Sequence, residues 1–379
     1  MDWSYIINFF LLLLFSYLNW KHPHQKYFKY AVILEFVFIA LRAPVVGADT
    51  WNYIRFLDGE RNFYNYDDRE LEIGFQVYKH ILVSLHGPRV LYMIINTLLT
   101  CYPVYYLIKK YSFNKPMSLA LMTILNIYFS YFCALRQLLG FAILLVGLIY
   151  VVENRRHKWF IFALTSLLGY TFHTTIVFYV AIFLICYFAV IKDRLVPIAI
   201  ITVTAIAGII LQSFDIIQTF NLFLALNISA TERIDTYFMN NDINSIDSIF
   251  LSLRPSILAI IAFCFIDTNK LNHWFSKIYL LGIALSNLFV TMPMINRVNV
   301  GMNVFGLIVI TWCFGSRYKN DIRIRKIENI VFCVLILYYL QMTFKNNDLS
   351  NYDFRDNSRM HPYQLFFEDY SSHPSIKYF

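Results

Sequence analysis

Six residues stand where a hydrophobic chain has little reason to put them: Arg42, Asp49, Arg136, His173, Arg254 and Arg297. Arg42 ends an apolar run and leads into "APVVGADTWNY", where Asp49 sits beside Thr50, Asn52 and Tyr53. Arg136, in "FCALRQLLG", is the one charge of the apolar block 117–152. His173, in "GYTFHTTIV", is the one histidine of the block 159–191, which has no acid or cation. Arg254 precedes Pro255 in "FLSLRPSIL", and Arg297 lies in "PMINRVNVG". A planar guanidinium matches two phosphate oxygens at once and stays charged at any physiological pH. Several of them at one membrane depth suit a lipid phosphate or pyrophosphate whose tail remains in the bilayer. Asp49 and His173 add groups that can take a proton. For any single arginine the plainer alternative is snorkelling to headgroups from a helix end. Four arginines and a histidine in turns with few other polar residues go beyond that, because a cation buried in a membrane is costly unless it is paired or functional.

The elements that must position these residues are membrane spans. Of the 379 residues 58% are hydrophobic and only 15% charged, with mean hydropathy +0.53; a soluble domain carries about 25% charged residues. A span needs about 17–25 mostly apolar residues. Twelve are predicted, at 3–20, 28–46, 90–108, 117–135, 137–152, 159–172, 174–191, 195–212, 249–266, 277–295, 298–314 and 327–344. The first has no basic n-region and no small-residue cleavage site, so it is expected to be retained. Blocks 117–152 and 159–191 are too long for one span each and are expected to fold as tight hairpins, with Arg136 and His173 at their turns. The expected class is an all-α polytopic membrane protein. Residues 1–344 would form one integral membrane domain with long loops at 42–89 and 213–248, followed by a tail at 345–379.

Cations set the orientation. The loops after odd-numbered spans are short and hold clusters such as Lys109, Lys110, Lys115; Arg155, Arg156, Lys158; and Arg317, Lys319, Arg323, Arg325, Lys326. Short-loop Lys and Arg mark the cytoplasmic side. Both termini, the three long segments and all six singled-out residues are therefore expected outside. The same rule accounts for the formal charge of +8, and no basic, aromatic-interleaved module points to nucleic acid. In the first long loop Leu71, Phe75, Tyr78, Leu82 and Leu85 form one apolar stripe behind Asp67, Asp68, Glu70 and Glu72. This predicts a helix lying in the outer interface or packed on the bundle. Glu72 reads as a structural acid at that helix start, and Glu35, inside the second span, as a paired structural acid. The six cysteines lie in or at the ends of apolar runs, without metal-site or disulfide spacing.

At these residues the sequence resembles the EpsG-type family of bacterial polysaccharide polymerases, relatives in role of the Wzy O-antigen polymerases. The resemblance rests on "LRAPVVGADTWNY", "LEIGFQVYKHIL", "ALRQLLGFAILL", "LLGYTFHTTIV" and "NRVNVGMNVF", in that order over roughly residues 30–310. In the first motif Pro44 and Val45 stand between Arg42 and the Gly-x-Asp, a departure from the family pattern. What the resemblance implies is a membrane glycosyltransferase of GT-C-like architecture in the bacterial cytoplasmic membrane, its active site facing outward. It would join oligosaccharide repeat units carried on undecaprenyl pyrophosphate, with the lipid pyrophosphate as leaving group. Arg136, Arg254 and Arg297, with Arg42, would clamp the pyrophosphate. Asp49 is the first candidate for proton acceptor and His173 the second, or else His173 hydrogen-bonds a phosphate. The scheme calls for no cofactor or metal. Expected partners are the lipid-linked oligosaccharides and the bilayer, with a chain-length regulator and a flippase alongside. A flippase or transporter of the same lipids, and an O-antigen ligase-type transferase, are the alternatives.

Overall fold

Helix boundaries follow local punctuation more than hydropathy. The computed structural model describes residues 3–23, 25–47, 50, 72–125, 127–213, 246–289, 293–313 and 363–368. They form α1 (Trp3–Lys21), α2 (Gln25–Ala40), α3 (Ile73–Ser84), α4 (Arg89–Tyr111), α5 (Lys115–Ile124), α6 (Ile127–Cys133) and α7 (Leu135–Val152). Then come α8 (Lys158–Tyr170), α9 (Ile176–Phe188), α10 (Leu195–Ser213), α11 (Ile246–Phe265), the single turn α12 (Thr268–Leu271), α13 (Trp274–Leu288) and α14 (Pro293–Cys313). No strand forms among the described residues; an isolated antiparallel bridge joins Arg42 to Leu365. Asn114 caps α5 by accepting from the Met117 N–H, with Pro116 in the first turn, where a missing N–H costs nothing. His273 caps α13, its Nδ1 accepting from the Phe275 N–H at 3.3 Å.

The chain divides into two compact units. The first is Met1–Ala181 with Tyr318–Phe379. Its central packing is α7 against α8, where glycines let the backbones close. A Cβ on Gly140 would lie 2.8 Å from the Gly169 carbonyl, and one on Gly147 would lie 2.9 Å from the Phe162 Cα. Close approach through small residues is the usual way membrane helices gain contact, since lipid offers no hydrophobic contrast. Glu35, expected as a paired structural acid, is fully buried in α2 and is held by a hydroxyl rather than a cation. It accepts from the Tyr128 hydroxyl, which in turn receives the Asn8 amide at 2.8 Å. The second unit, Ile182–Arg317, is tied by Asn287. That amide donates to the Ile201 carbonyl and the Thr204 hydroxyl and accepts from Ser256, linking α10, α11 and α13.

Among the described residues three helices are long and apolar enough to cross a membrane: α1, α4 and α7. Apolar side chains are exposed on others, including Phe160, Leu164 and Leu167 of α8 and Val203, Ile206 and Ile210 of α10. Several expected boundaries shift. The second span ends at Ala40 rather than 46, because Pro44 and the positive φ of Gly47 (106°) impose a loop. The fourth is broken into α5 and α6 around Leu125. The tenth ends at Leu288 rather than 295, because Pro293 opens a new helix. At 13 residues, α8 reaches only about 20 Å. The expected span at 327–344 and most of the long loops and tail lie outside the described residues.

Candidate functional site

Arg42 stands two residues beyond α2 and is 1% exposed. Its NH1 donates to the Ile39 carbonyl at 2.5 Å and its Nε to the Val46 carbonyl at 3.2 Å. Its NH2 donates to the Thr50 hydroxyl at 3.0 Å and to the Tyr131 carbonyl at 3.1 Å. Thr50 passes the chain on to the Phe132 carbonyl at 2.6 Å, and the Phe132 ring lies 4.4 Å beneath the guanidinium. The loop is thereby pressed onto the end of α6, so closely that a Cβ on Gly47 would come 2.2 Å from the Phe132 oxygen. A segment from the far end of the sequence straps it from the other side. The Ala43 N–H donates to the Gln364 carbonyl at 2.6 Å and the Phe366 N–H to the Leu41 carbonyl at 3.0 Å. Tyr363 stacks on Phe38 at 4.4 Å and donates its hydroxyl to the Phe38 carbonyl. In this structure Arg42 holds its own loop in shape. Asp49, two residues past Gly47, lies outside the described residues.

The α6–α7 and α8–α9 connections, expected as turns of tight hairpins, meet at the start of α3, but neither closes as a tight hairpin; α7 packs on α8 instead. Non-helical backbone at Ala134 (φ −107°, ψ 49°) ends α6 and opens α7, so Arg136 falls in the first turn of α7 rather than in the connection itself. Its NH1 pairs with Glu72 Oε2 at 2.7 Å, with side chains 21% and 18% exposed, and its guanidinium lies 5.8 Å from the Phe75 ring. Two residues on, the Gly74 N–H donates to the Thr171 carbonyl at 2.8 Å, and a Cβ there would strike the Thr171 side chain. Thr171 opens the α8–α9 turn that carries His173. The expected apolar stripe of α3 packs on the bundle: Phe75 and Leu82 are buried against Leu139, Tyr92, Met93 and Leu135. Ile73, Val77 and Ile81 leave a second, exposed apolar face.

His173 Nδ1 accepts from the Thr175 N–H at 3.2 Å and lies 2.8 Å from the Thr175 hydroxyl. A neutral ring whose Nδ1 is an acceptor carries its proton on Nε2. The geometry thus makes His173 a donor at Nε2, which suits a phosphate oxygen better than a hydroxyl proton. Next to Arg136, Gln137 donates to the Tyr179 hydroxyl at 2.9 Å and ties α7 to α9. The structure therefore brings Arg136 and the His173 turn to one place, and adds Glu72, which the sequence marks only as a structural acid.

At the other end of α7, Glu153 gathers Lys110 at 2.6 Å, Arg155 at 2.5 Å and the hydroxyls of Tyr106 and Tyr111. Burial pushes its proton affinity up, but hydrogen bonds from Lys110, Arg155 and Tyr106 outweigh it and hold the carboxyl below the usual range. In the second unit Arg254 is the ninth residue of α11 and Arg297 the fifth of α14. Arg297 is thus helical, not in a connection between spans, because Pro293 starts α14 earlier than hydropathy suggests. Both arginine side chains lie outside those described. Among the described residues no group of three or more His, Cys, Asp or Glu gathers as a metal site.

No curated protein and no solved structure matches the chain. The model of one family does, over residues 25–365. That stretch opens with α2, takes in the α6–α7 and α8–α9 connections and the α3 start, and closes at Leu365, the residue bridged to Arg42. With nearly the whole chain matched, the protein belongs to the EpsG family.

Proposed function

We infer that the protein polymerises lipid-pyrophosphate-linked oligosaccharide repeat units into a surface polysaccharide, acting as a membrane glycosyltransferase on the outer face of the cytoplasmic membrane. EpsG membership supports polysaccharide synthesis in general, and the apolar helices support a membrane protein. About twelve spans in a GT-C-like arrangement, with undecaprenyl pyrophosphate as carrier, are the finer terms of the proposal. The single observation that carries it is the Arg136–Glu72 pair, partly open to solvent, where the α6–α7 connection meets the start of α3.

In the proposed reaction a sugar hydroxyl of one lipid-linked unit attacks the anomeric carbon of another glycan, and the lipid pyrophosphate departs with growing negative charge. Cations already in place for that charge supply the largest share of such catalysis, several kcal/mol. Arg136 is assigned to the pyrophosphate, with the Nε2–H of His173 as a further donor. Arg254 and Arg297 are assigned to the same anion from the sequence. A carboxylate takes the acceptor proton: Asp49 is the candidate from the sequence, and Glu72 is the one the structure sets beside Arg136. Gene deletion separates this reading from its rivals. A lost polymerase leaves single-unit glycan and no ladder, whereas a lost flippase removes both. Arg136→Lys keeps the charge and removes the fork; it is expected to abolish the ladder at normal protein level, and a wild-type ladder would refute the assignment.

A further inference from the structure

Glu72 is the N-cap residue of α3. The shorter Asp267 caps α12 by accepting from the Asn269 N–H, as Asp, Asn, Ser and Thr commonly do at this position. Glu72 makes no side-chain cap bond; its backbone carbonyl receives the Phe75 and Gln76 N–H groups while its carboxylate reaches across to α7. The backbone that aims it is fixed, since the Gly74 N–H is bonded to Thr171 in the neighbouring turn. The pair stays 18–21% exposed, so a ligand can reach it. His173, with Nδ1 accepting from Thr175, is set up to donate rather than to take a proton.

We propose that Glu72 is an exchangeable counter-ion and proton acceptor: in the empty protein its carboxylate occupies the Arg136 fork, the pyrophosphate of the donor displaces it, and the freed carboxylate takes the proton of the acceptor hydroxyl. This rests on the polymerase reading above. A guanidinium fork fits a carboxylate and a phosphate alike, and the more highly charged anion wins it. In the transfer step the acceptor O–H bond breaks and its proton goes to the Glu72 carboxylate. The acceptor oxygen bonds the anomeric carbon. The bond from that carbon to the pyrophosphate oxygen breaks, and its electron pair stays on the pyrophosphate held by Arg136. When the lipid pyrophosphate leaves, Glu72 gives its proton to water and pairs with Arg136 again.

The test uses the full chain in nanodiscs with lipid-pyrophosphate-linked repeat units isolated from the deletion strain. Glu72→Gln keeps the shape and an oxygen acceptor for Arg136 but competes poorly with pyrophosphate and cannot take a proton. Its kcat is expected to fall about 10²–10⁴-fold, the usual effect of a positioned acid or base, while the KM for the donor is unchanged or lower. Glu72→Asp, which retains a carboxylate, is expected to turn over faster than Glu72→Gln and keeps the question open to test should glutamine misfold. A structural ion pair behaves differently. A raised donor KM with kcat intact, or activity restored by the swap Glu72→Arg with Arg136→Glu, would overturn the proposal. So would loss of turnover in Asp49→Asn alone, with Glu72→Gln at the wild-type rate. If wild-type protein makes no polymer from these units, the polymerase reading itself fails and the role of Glu72 falls with it.

Discussion

Replacing Arg42 by methionine keeps most of the side chain's length and apolar stem and removes every hydrogen bond the guanidinium makes. Four are lost, at 2.5–3.2 Å, to three carbonyls and the Thr50 hydroxyl. Bonds to a charged group contribute about 1.5–3 kcal/mol each, so the gross loss is about 6 kcal/mol at the lower figure. The variant no longer buries a cation, which returns a few kcal/mol. The net destabilisation is about 3–4 kcal/mol, and at about 2 °C per kcal/mol for a chain of this size Tm falls by roughly 6–8 °C. Arg42→Lys, with three donors on a single nitrogen, satisfies part of the carbonyl set and is expected to lie about halfway. Scanning fluorimetry of the protein in detergent measures the shift, and the glycan ladder measures activity. A loop-holding arginine gives parallel losses, with lysine intermediate in both. Should Arg42→Met unfold at the wild-type temperature and still make no polymer, the loop-holding account is refuted and Arg42 belongs with the residues that touch the substrate anion.

Gly47→Ala is expected to cost about 3 kcal/mol or more, combining a left-handed φ with a Cβ 2.2 Å from the Phe132 oxygen. The check is the fraction of protein that stays monodisperse after heating. His273 provides a pH dependence. Burial, with Lys270 and Lys277 nearby, lowers its pKa from the ordinary 6.5 to about 4. The folded ring is neutral where the unfolded one is protonated, so stability is full above pH 6.5 and is lost as pH falls towards 4. His273→Asn keeps an acceptor for the Phe275 N–H and does not titrate; its unfolding temperature is expected to be flatter between pH 6.5 and 4 than that of the wild type.

Much of the helical layout is legible in the sequence because apolar length is a strong signal. The blocks around Arg136 and His173 do break near those residues, but neither closes as a tight hairpin: the arms that pack are α7 and α8, one from each block, where Gly140 meets Gly169. The helix α3 follows the stripe through Phe75, Tyr78 and Leu82. What hydropathy cannot see is where a helix yields to backbone chemistry. Pro44 and Gly47 end α2 inside an apolar run, and Pro293 restarts a helix that carries Arg297 with it. The isolated charges were visible as anomalies, but their partners were not. Arg42 looks like an arginine bound for phosphate and is answered by carbonyls of Ile39, Val46 and Tyr131. Glu72 looks like an ordinary acidic helix start and is answered by an arginine 64 positions later. No short-range pattern encodes such pairings, because they depend on which turns the bundle brings together.

The strap formed by Tyr363, Gln364 and Phe366 has a consequence for how the protein is made. Tyr363 bonds a carbonyl 325 positions earlier in the chain, and at about 5–20 residues per second roughly 15–65 s of synthesis separate the two partners. Throughout that interval the Arg42 loop lacks one of its supports while the helices between are being inserted. The loop is therefore finished last, after translation has delivered a segment that must reach the same membrane side. A fusion or truncation placed just ahead of residue 363 would leave the early helices inserted and the loop unlatched, a defect seen as slow maturation of the protein rather than as failed insertion.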